Sequence, residues 1–447
     1  MKAKKRHPLI IGTFILTATG AVSRLIGFFY RIYLSRLFGE EGMGIYQLLS
    51  PVLSLSFSLT AAGYQTAISK LVAEQTAREK HPSLRPLLAG LSITLPLSLL
   101  CNAVIYIFAD PIASVVLQEP RTAAMLRILS FSIPFSSVHS CINGYFYGVK
   151  RAGIPAGSQL LEQITRVSCV YIVSALCMAK GLYPSISTAV LGLTVGELFS
   201  MLMAAFAILP CCVPKKPRSK AASLHSKIFA GDCLYGRLLA MALPLTANRI
   251  VLNLLQSVES VSIPARLRLY GYDTITSLSV YGVLTGMAMP FIFFPNALTG
   301  SVAVMLLPMI SENYALGDMP TVKKLTVRTV KYCGLMGFLC MIVFVLFGRW
   351  MGTVLFDSPL AGYFITTLGF ICPFLYLDTT LSSILQGLGL AGQIFAMNVV
   401  CLVLRLLFVF LAIPRFGITG YLWGLLASQL TLGMLYLNCL YRFFKKR

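Results

Sequence analysis

The sequence predicts an all-α polytopic membrane protein: about 12 transmembrane helices in two six-helix bundles related by a pseudo-twofold axis along the membrane normal. Three observations predict it. Only 12% of the 447 residues are charged and 57% are hydrophobic, with a mean hydropathy of +0.79. A soluble domain carries about 25% charged residues, so this chain cannot cover a soluble surface. The apolar residues come in runs of about 20, the length that crosses a hydrocarbon core. The second half of the chain also repeats the first.

The runs fall near 9–34, 43–68, 87–108, 122–148, 157–179, 186–210, 237–259, 279–309, 331–355, 362–386, 393–413 and 418–440. The first follows Lys2, Lys4, Lys5 and Arg6, as in a signal peptide, but no clear small-residue cleavage site follows and Arg24 and Arg31 interrupt it. An uncleaved first membrane helix is expected. Runs one and eight are long, and should tilt, bend or protrude. Pro51, Pro96, Pro134, Pro244 and Pro373 lie inside runs and predict bends or breaks. Between runs six and seven the chain is basic and polar, with Pro210, Pro214 and Pro217 against helix. The expected division is a bundle over 1–210, a cytoplasmic linker over 211–236 and a bundle over 237–447.

Shifted by 239 positions, 110–167 aligns with 349–406 without a gap. Pro120 meets Pro359, Pro134-Phe135 meets Pro373-Phe374, Gly148 meets Gly387, Ala152-Gly153 meets Ala391-Gly392, and Arg166 meets Arg405. A looser match pairs Ser23-Arg24 with Asn248-Arg249, and another pairs Gly192 and Glu197 with Gly424 and Gln429. Six helices per repeat is an even number, so both halves share one orientation. That is a transporter architecture with the site expected between the halves.

The net charge of +22 comes from 37 basic and 15 acidic side chains. Of the basic residues, 24 fall on one side of the expected membrane, among them Lys70, Arg78, Lys215, Lys216, Lys323, Lys324 and Lys445. Six fall on the other: Arg36, Arg121, Lys180, Arg266, Arg268 and Arg415. The excess places both termini in the cytoplasm of a multi-pass cell-membrane protein. This charge is topological and implies no nucleic-acid partner.

Catalytic motifs are missing, so an enzyme is not expected. No phosphate loop of the form G-x-x-x-x-G-K-[ST] occurs. Gly387, Gly389 and Gly392 form a lone G-x-G-x-x-G after a membrane run and not after a strand, which suits a tight turn. The 12 cysteines show no C-x-x-C or zinc spacing and suit small buried hydrophobes. His139 is the one histidine inside a run. No metal or cofactor is expected beyond a coupled H⁺, Na⁺ or the membrane potential.

The informative residues are charges within the runs, which face a wet path or a partner. Arg24, Arg31, Arg166, Arg249 and Arg405 are the candidates for an anionic substrate, because guanidinium forks bind phosphate oxygens bidentately. Arg24 and Arg31 are seven apart and share one helix face. Glu162 precedes Arg166 by four, the favourable order for a helix ion pair. Arg405 has Cys401 where Arg166 has Glu162, so it looks for an anion or a carboxylate elsewhere. Glu197 and Asp378 are lone acids in runs; with Glu162 they are the candidates for coupling or gating, the alternative for each being an ion pair with a neighbouring helix. Asn143, Gln159, Gln163 and Gln386 either line the same path or hydrogen-bond helices together.

The segment Ser23-Arg24-Leu25-Ile26-Gly27-Phe28-Phe29-Tyr30-Arg31, continuing through Gly39, Gly42, Gly44, Tyr46 and Gln47, resembles the start of stage V sporulation protein B-like transporters. So does Gly144-Tyr145-Phe146-Tyr147-Gly148, followed by Pro155, Ser158-Gln159-Leu160-Leu161-Glu162-Gln163 and Arg166. These belong to the oligosaccharide flippases of the multidrug/oligosaccharidyl-lipid/polysaccharide exporter superfamily. The resemblance implies two six-helix bundles, alternating access and a lipid-linked cell-wall precursor as cargo. Related lipid II flippases of the MurJ type have two extra helices and three cavity arginines. Arg24 matches one of those positions; Phe57 and Met289 stand at the other two. Arg31, Arg249 and Arg405 are the expected substitutes.

The leading expectation is a monomeric flippase of an undecaprenyl-pyrophosphate-linked precursor, with membrane lipids as its other partners. A cation-coupled multidrug exporter is the runner-up, and needs an acidic cavity where the deep residues here are mostly basic. A non-transporting scaffold for wall or spore assembly is the third.

Overall fold

A computed structural model describes residues 8–79, 83–212 and 231–445. Every regular element among them is helical. The long helices are α1 Pro8–Gln47, α2 Ser50–Phe57, α3 Gly63–Glu79, α4 Arg85–Ile107, α5 Thr122–Ser130, α6 Ser132–Gly148, α7 Gly153–Ala179 and α8 Ser187–Cys212. They continue as α9 Gly231–Tyr270, α10 Thr274–Gly282, α11 Met289–Ala315, α12 Met319–Phe356, α13 Pro359–Leu368, α14 Cys372–Gly387, α15 Ala391–Leu411 and α16 Ile418–Lys445. Ten helical stretches are long and apolar enough to span a membrane, and Ala18–Gln47 with Ser50–Thr76 form a further pair bent by 45°. The chain is a multi-pass membrane protein.

The repeat is written into the element order. α5, α6, α7 and α8 recur as α13, α14, α15 and α16. α1 and α9 are both 40 residues long. Single π-helical turns join α2 to α3 at Ser58–Ala62 and α10 to α11 at Val283–Ala288. These turns are offset by the same 225 positions as Arg24 and Arg249. π-turns of this kind gather at functional places in helices.

Two expectations from sequence change. The first run does not end near 34. α1 continues to Gln47, broken at Gly39, whose φ of 69° suits a residue without a Cβ. Arg36, expected in an outer loop, explains the continued order. Its Nε donates to Leu355 O at 3.0 Å and its Nη2 to Val354 O at 2.7 Å, at the last turn of α12, where carbonyls lack helical partners. The seventh run does not end at 259 either, because α9 runs to Tyr270. Arg266 is therefore helical, with its guanidinium 4.5 Å from the centroid of the Phe410 ring. The breaks expected at Pro51, Pro134 and Pro373 do occur, a new helix starting just before each. These prolines sit in the first turns of α2, α6 and α14, where a missing N–H removes no helical bond. Pro96 lies inside α4.

Packing groups the chain up to Gly27 with Leu49–Leu254 as unit 1, and Phe28–Leu48 with Leu255–Arg447 as unit 2. The repeated long helices α1 and α9 each divide between the units. Residues 213–230 of the expected linker lie outside the described residues, as do residues 1–7.

Unit 1 is centred on Ile68, Leu71, Cys141, Phe146 and Leu238, and unit 2 on Ile310, Leu381, Ile384, Leu385 and Tyr436. In lipid, helix association depends on close packing, since the surrounding tails are as apolar as the side chains. α8 shows how small residues permit it. A Cβ on Gly192 would stand 2.3 Å from Val170 Cγ2, and one on Gly196 2.9 Å from Glu162 O. The α8 backbone thus lies directly on α7, which brings Glu197 beside Glu162.

Candidate functional site

The five arginines divide by environment. Arg24 on α1 and Arg249 on α9 both belong to unit 1 and are exposed within candidate spans. Neither has an ion pair or side-chain hydrogen bond among the described residues. Arg31 is half-buried in unit 2. Arg166 pairs with Glu162 one turn earlier on α7, both largely buried. Arg405 of α15 is held across helices: its Nη2 donates to Glu259 Oε2 at 2.7 Å, and the Tyr421 hydroxyl of α16 donates to Glu259 Oε1 at 2.7 Å. The carboxylate that Arg405 was expected to seek is therefore Glu259, whose side chain is 5% exposed.

Sequence reasoning missed Glu259 because the seventh run was closed on that residue. A charge at a helix end needs no partner, whereas α9 continues for 11 residues and makes Glu259 interior. The available signal was the pair Arg266 and Arg268 about two turns on, which suits a helix reaching toward an interface.

Unit 1 holds a polar cluster built from three helices. Glu197 of α8 stands beside His139 of α6, with Glu197 Oε2 3.2 Å from His139 Nδ1, each side chain 14% exposed. Glu162 of α7 completes the group, and one ligand-type atom from each of the three lies within 4.8 Å of the others. The donor set does not fit a resident divalent metal. Arg166 already engages Glu162, and a +2 ion would leave the cluster with net positive charge in the helix interior. Asn143, one turn beyond His139, exchanges hydrogen bonds of 3.4 Å with Ser158 of α7, so it joins helices there.

Unit 2 places Asp378 differently. It is 5% exposed on α14, and neither carboxylate oxygen has a hydrogen-bond partner among the described residues. Gly433 of α16 packs against it: a Cβ there would stand 3.1 Å from Asp378 Oδ1. No arginine among the described residues pairs with it. Chemically, then, the molecule offers two exposed membrane cations in unit 1, one balanced pair in unit 2, and one uncompensated acidic group in each unit.

Comparison with known proteins bears on what this arrangement serves. A family model described as polysaccharide biosynthesis protein matches residues 9–314. The chain is 30% identical over 418 residues to stage V sporulation protein B of Bacillus subtilis (strain 168), covering 93% of this chain and 80% of that relative. Among solved structures it resembles the lipid II flippase MurJ in an inward closed conformation, with a TM-score of 0.72 and 14% identity over 96% of this chain and 87% of that one. It also resembles an inward-facing multidrug resistance transporter of the MATE family, with a TM-score of 0.70 and 14% identity over 94% and 98%. At these identities the structural likenesses establish the fold.

Proposed function

Because the chain belongs to the polysaccharide biosynthesis protein family of membrane proteins, we propose that it is a flippase for an anionic lipid-linked precursor. The cargo is of the undecaprenyl-pyrophosphate-sugar type, lipid II in sporulation being one such molecule. It moves from the inner to the outer leaflet of the cell membrane by alternating access, with both termini cytoplasmic and the monomer as the working unit.

The observation that carries this reading is the exposure of Arg24 and Arg249 within membrane spans, without partners among the described residues. A guanidinium facing lipid at mid-membrane costs about 2.5–3.5 kcal/mol on insertion scales. Two at repeat-equivalent places make sense on a wet surface that meets anions. A pyrophosphate supplies oxygens that match their forks. An inside-negative potential drives an anion outward by about 2.3 kcal/mol per charge per 100 mV. The arginines are thus assigned to replacing phosphate hydration, not to supplying the driving force. Arg31 is assigned to the same path. Arg166 and Arg405 are assigned to holding helices through Glu162 and Glu259, and Glu197 and Asp378 to coupling.

The test is leaflet exchange of a fluorescent undecaprenyl-pyrophosphate sugar in proteoliposomes. Arg24→Ala is expected to slow it by about 10- to 100-fold, the worth of a lost charge-assisted bond of roughly 1.5–3 kcal/mol, with Arg24→Lys intermediate because it keeps the charge and loses the fork. Unchanged exchange in Arg24→Ala would remove the phosphate-clamp assignment.

A further inference from the structure

The buried charges in the two units do not cancel. In unit 1, Glu162 and Glu197 contribute two negative charges and Arg166 one positive, with His139 against Glu197. One negative charge is left over. The other elements packed on α6 do not balance it. α3 meets the Gly144 and Gly148 face, and α4 and the first π-turn meet the Ser137 and Cys141 face. His139 points away from these faces, toward α7 and α8. α2 and the π-turn carry no titratable side chain, and α4 carries only Arg85, Cys101 and Tyr106. On α3, Tyr64 packs in the apolar core, Lys70 is the one cation in its middle, and Glu74 pairs with Arg237. Arg127 of α5 is taken by Asp110 at 2.6 Å.

In unit 2, Arg405 and Glu259 cancel, and Asp378 is left over. Cys401 of α15 and Tyr436 of α16, which feel its charge, are neutral in their ordinary forms, as is Cys333 of α12. Tyr436 is occupied by Asn398 at 3.0 Å. Charge-bearing Glu312 lies at the far end of α11.

His139, which stands against the left-over charge of unit 1, and Asp378, which carries that of unit 2, occupy the same place in the repeat. His139 and Asp378 are 239 positions apart, the offset that superposes Pro134 on Pro373 and Arg166 on Arg405. A buried, uncompensated carboxylate is neutralised far more cheaply than it is kept ionised. Sodium would need several ligands already gathered by polar groups, and neither carboxylate oxygen of Asp378 has a hydrogen-bonding group beside it among the described residues. A divalent ion overshoots the balance in unit 1. A proton is the one cation that suits both places.

We infer that each unit carries one exchangeable proton, in unit 1 on His139 against Glu197 and in unit 2 on Asp378. The proton binding stands on charge balance and geometry; its use as the coupling charge of a transport cycle rests on the flippase reading. Charge balance makes an uncommon demand on the variants. Glu197→Gln removes the left-over charge and so abolishes the proton, although His139 remains. His139→Gln leaves the charge and moves the proton to a carboxyl.

The experiment counts protons taken up by the full-length protein in nanodiscs on a pH step from 9 to 6, with infrared difference spectra and no lipid-linked substrate present. Glu197→Gln and Asp378→Asn should each take up one proton fewer than wild type, and the double variant two fewer. His139→Gln should gain a protonated-carboxyl band, and Asp378→Asn should lose one. Uptake equal to wild type in both Glu197→Gln and Asp378→Asn overturns the inference, as does an unchanged spectrum in Asp378→Asn. Both substitutions are near-isosteric, and the spectrum reports the helical fold in the same sample. Since no cargo is involved, a failure here leaves the flippase reading standing, and absent flipping with intact proton counts does the reverse.

Discussion

Removing Arg405 should be costly, and removing its partner with it should not. Glu259 is 5% exposed and holds two contacts of 2.7 Å, one from Arg405 and one from Tyr421. Arg405→Met would leave the carboxylate with a single neutral donor in the helix interior. Stranding one member of a buried ion pair costs about 3–5 kcal/mol, whereas replacing both by apolar groups ranges from neutral to a gain of about 1–4 kcal/mol. At roughly 2 cal/mol/K of unfolding entropy per residue, a unit of about 200 residues would lose about 7–12 °C in the single variant. The assay is thermal unfolding of purified protein in one detergent, in a double-mutant cycle of Arg405→Met and Glu259→Met, alongside flipping in proteoliposomes. The double variant should recover most of the stability and retain flipping, because the pair is assigned to holding α9, α15 and α16 together. A double variant that is stable but inactive would show that Arg405 meets the cargo after all. A single variant as stable as wild type would refute the reading of the pair as buried and interdependent.

Three further outcomes follow from the packing and the caps. Gly192→Val should destabilise unit 1 by about 1–3 kcal/mol through overpacking, since even a Cβ there would stand 2.3 Å from Val170 Cγ2 and 3.0 Å from Arg166 O; a cysteine cross-linking or thermal-shift series along α8 should show the loss there and none at exposed Leu191. The Thr321 hydroxyl and amide hold the Asp318 carboxyl below its usual range, and the Thr276 hydroxyl and amide do the same for Asp273. A lowered folded value means that this stabilisation is complete above the ordinary Asp value, near pH 3.9, and is lost as pH falls through the folded value; hydrogen exchange at the starts of α12 and α10 should therefore quicken in acid, and Asp318→Asn should flatten that dependence for α12. Arg36→Ala should free the last carbonyls of α12, at Val354 and Leu355, and raise amide exchange at that end of the helix without altering exchange at Val322 near its start.

What was legible in the sequence is what depends on local spacing. The Glu162–Arg166 pair is four residues apart on one helix and forms as its spacing requires. Pro134 and Pro373 mark the same place in two halves, and both open a helix after a short break. Contacts between distant positions left no such trace. Glu259 and Arg405 are 146 residues apart, and the apolar run that contains Glu259 fades there only because α9 turns more polar toward Arg266 and Arg268. His139 looked like a lone histidine on an apolar stretch. It acquires Glu197 because Gly192 and Gly196 let α8 close on α7, a consequence of missing side chains that no motif announces. The break of α1 at Gly39 was also hidden, since Arg36 anchors to carbonyls contributed by a helix more than 300 residues later.

Leaflet exchange measured side by side for two lipids tests most directly whether the exposed arginines receive an anionic lipid. Wild-type protein in proteoliposomes should move an undecaprenyl-pyrophosphate sugar and leave an uncharged polyprenyl analogue in place, and Arg24→Ala with Arg249→Ala should abolish that movement while unfolding at the wild-type temperature. Equal movement of the charged and uncharged lipids, or undiminished exchange in the double variant, would contradict that role for the arginines.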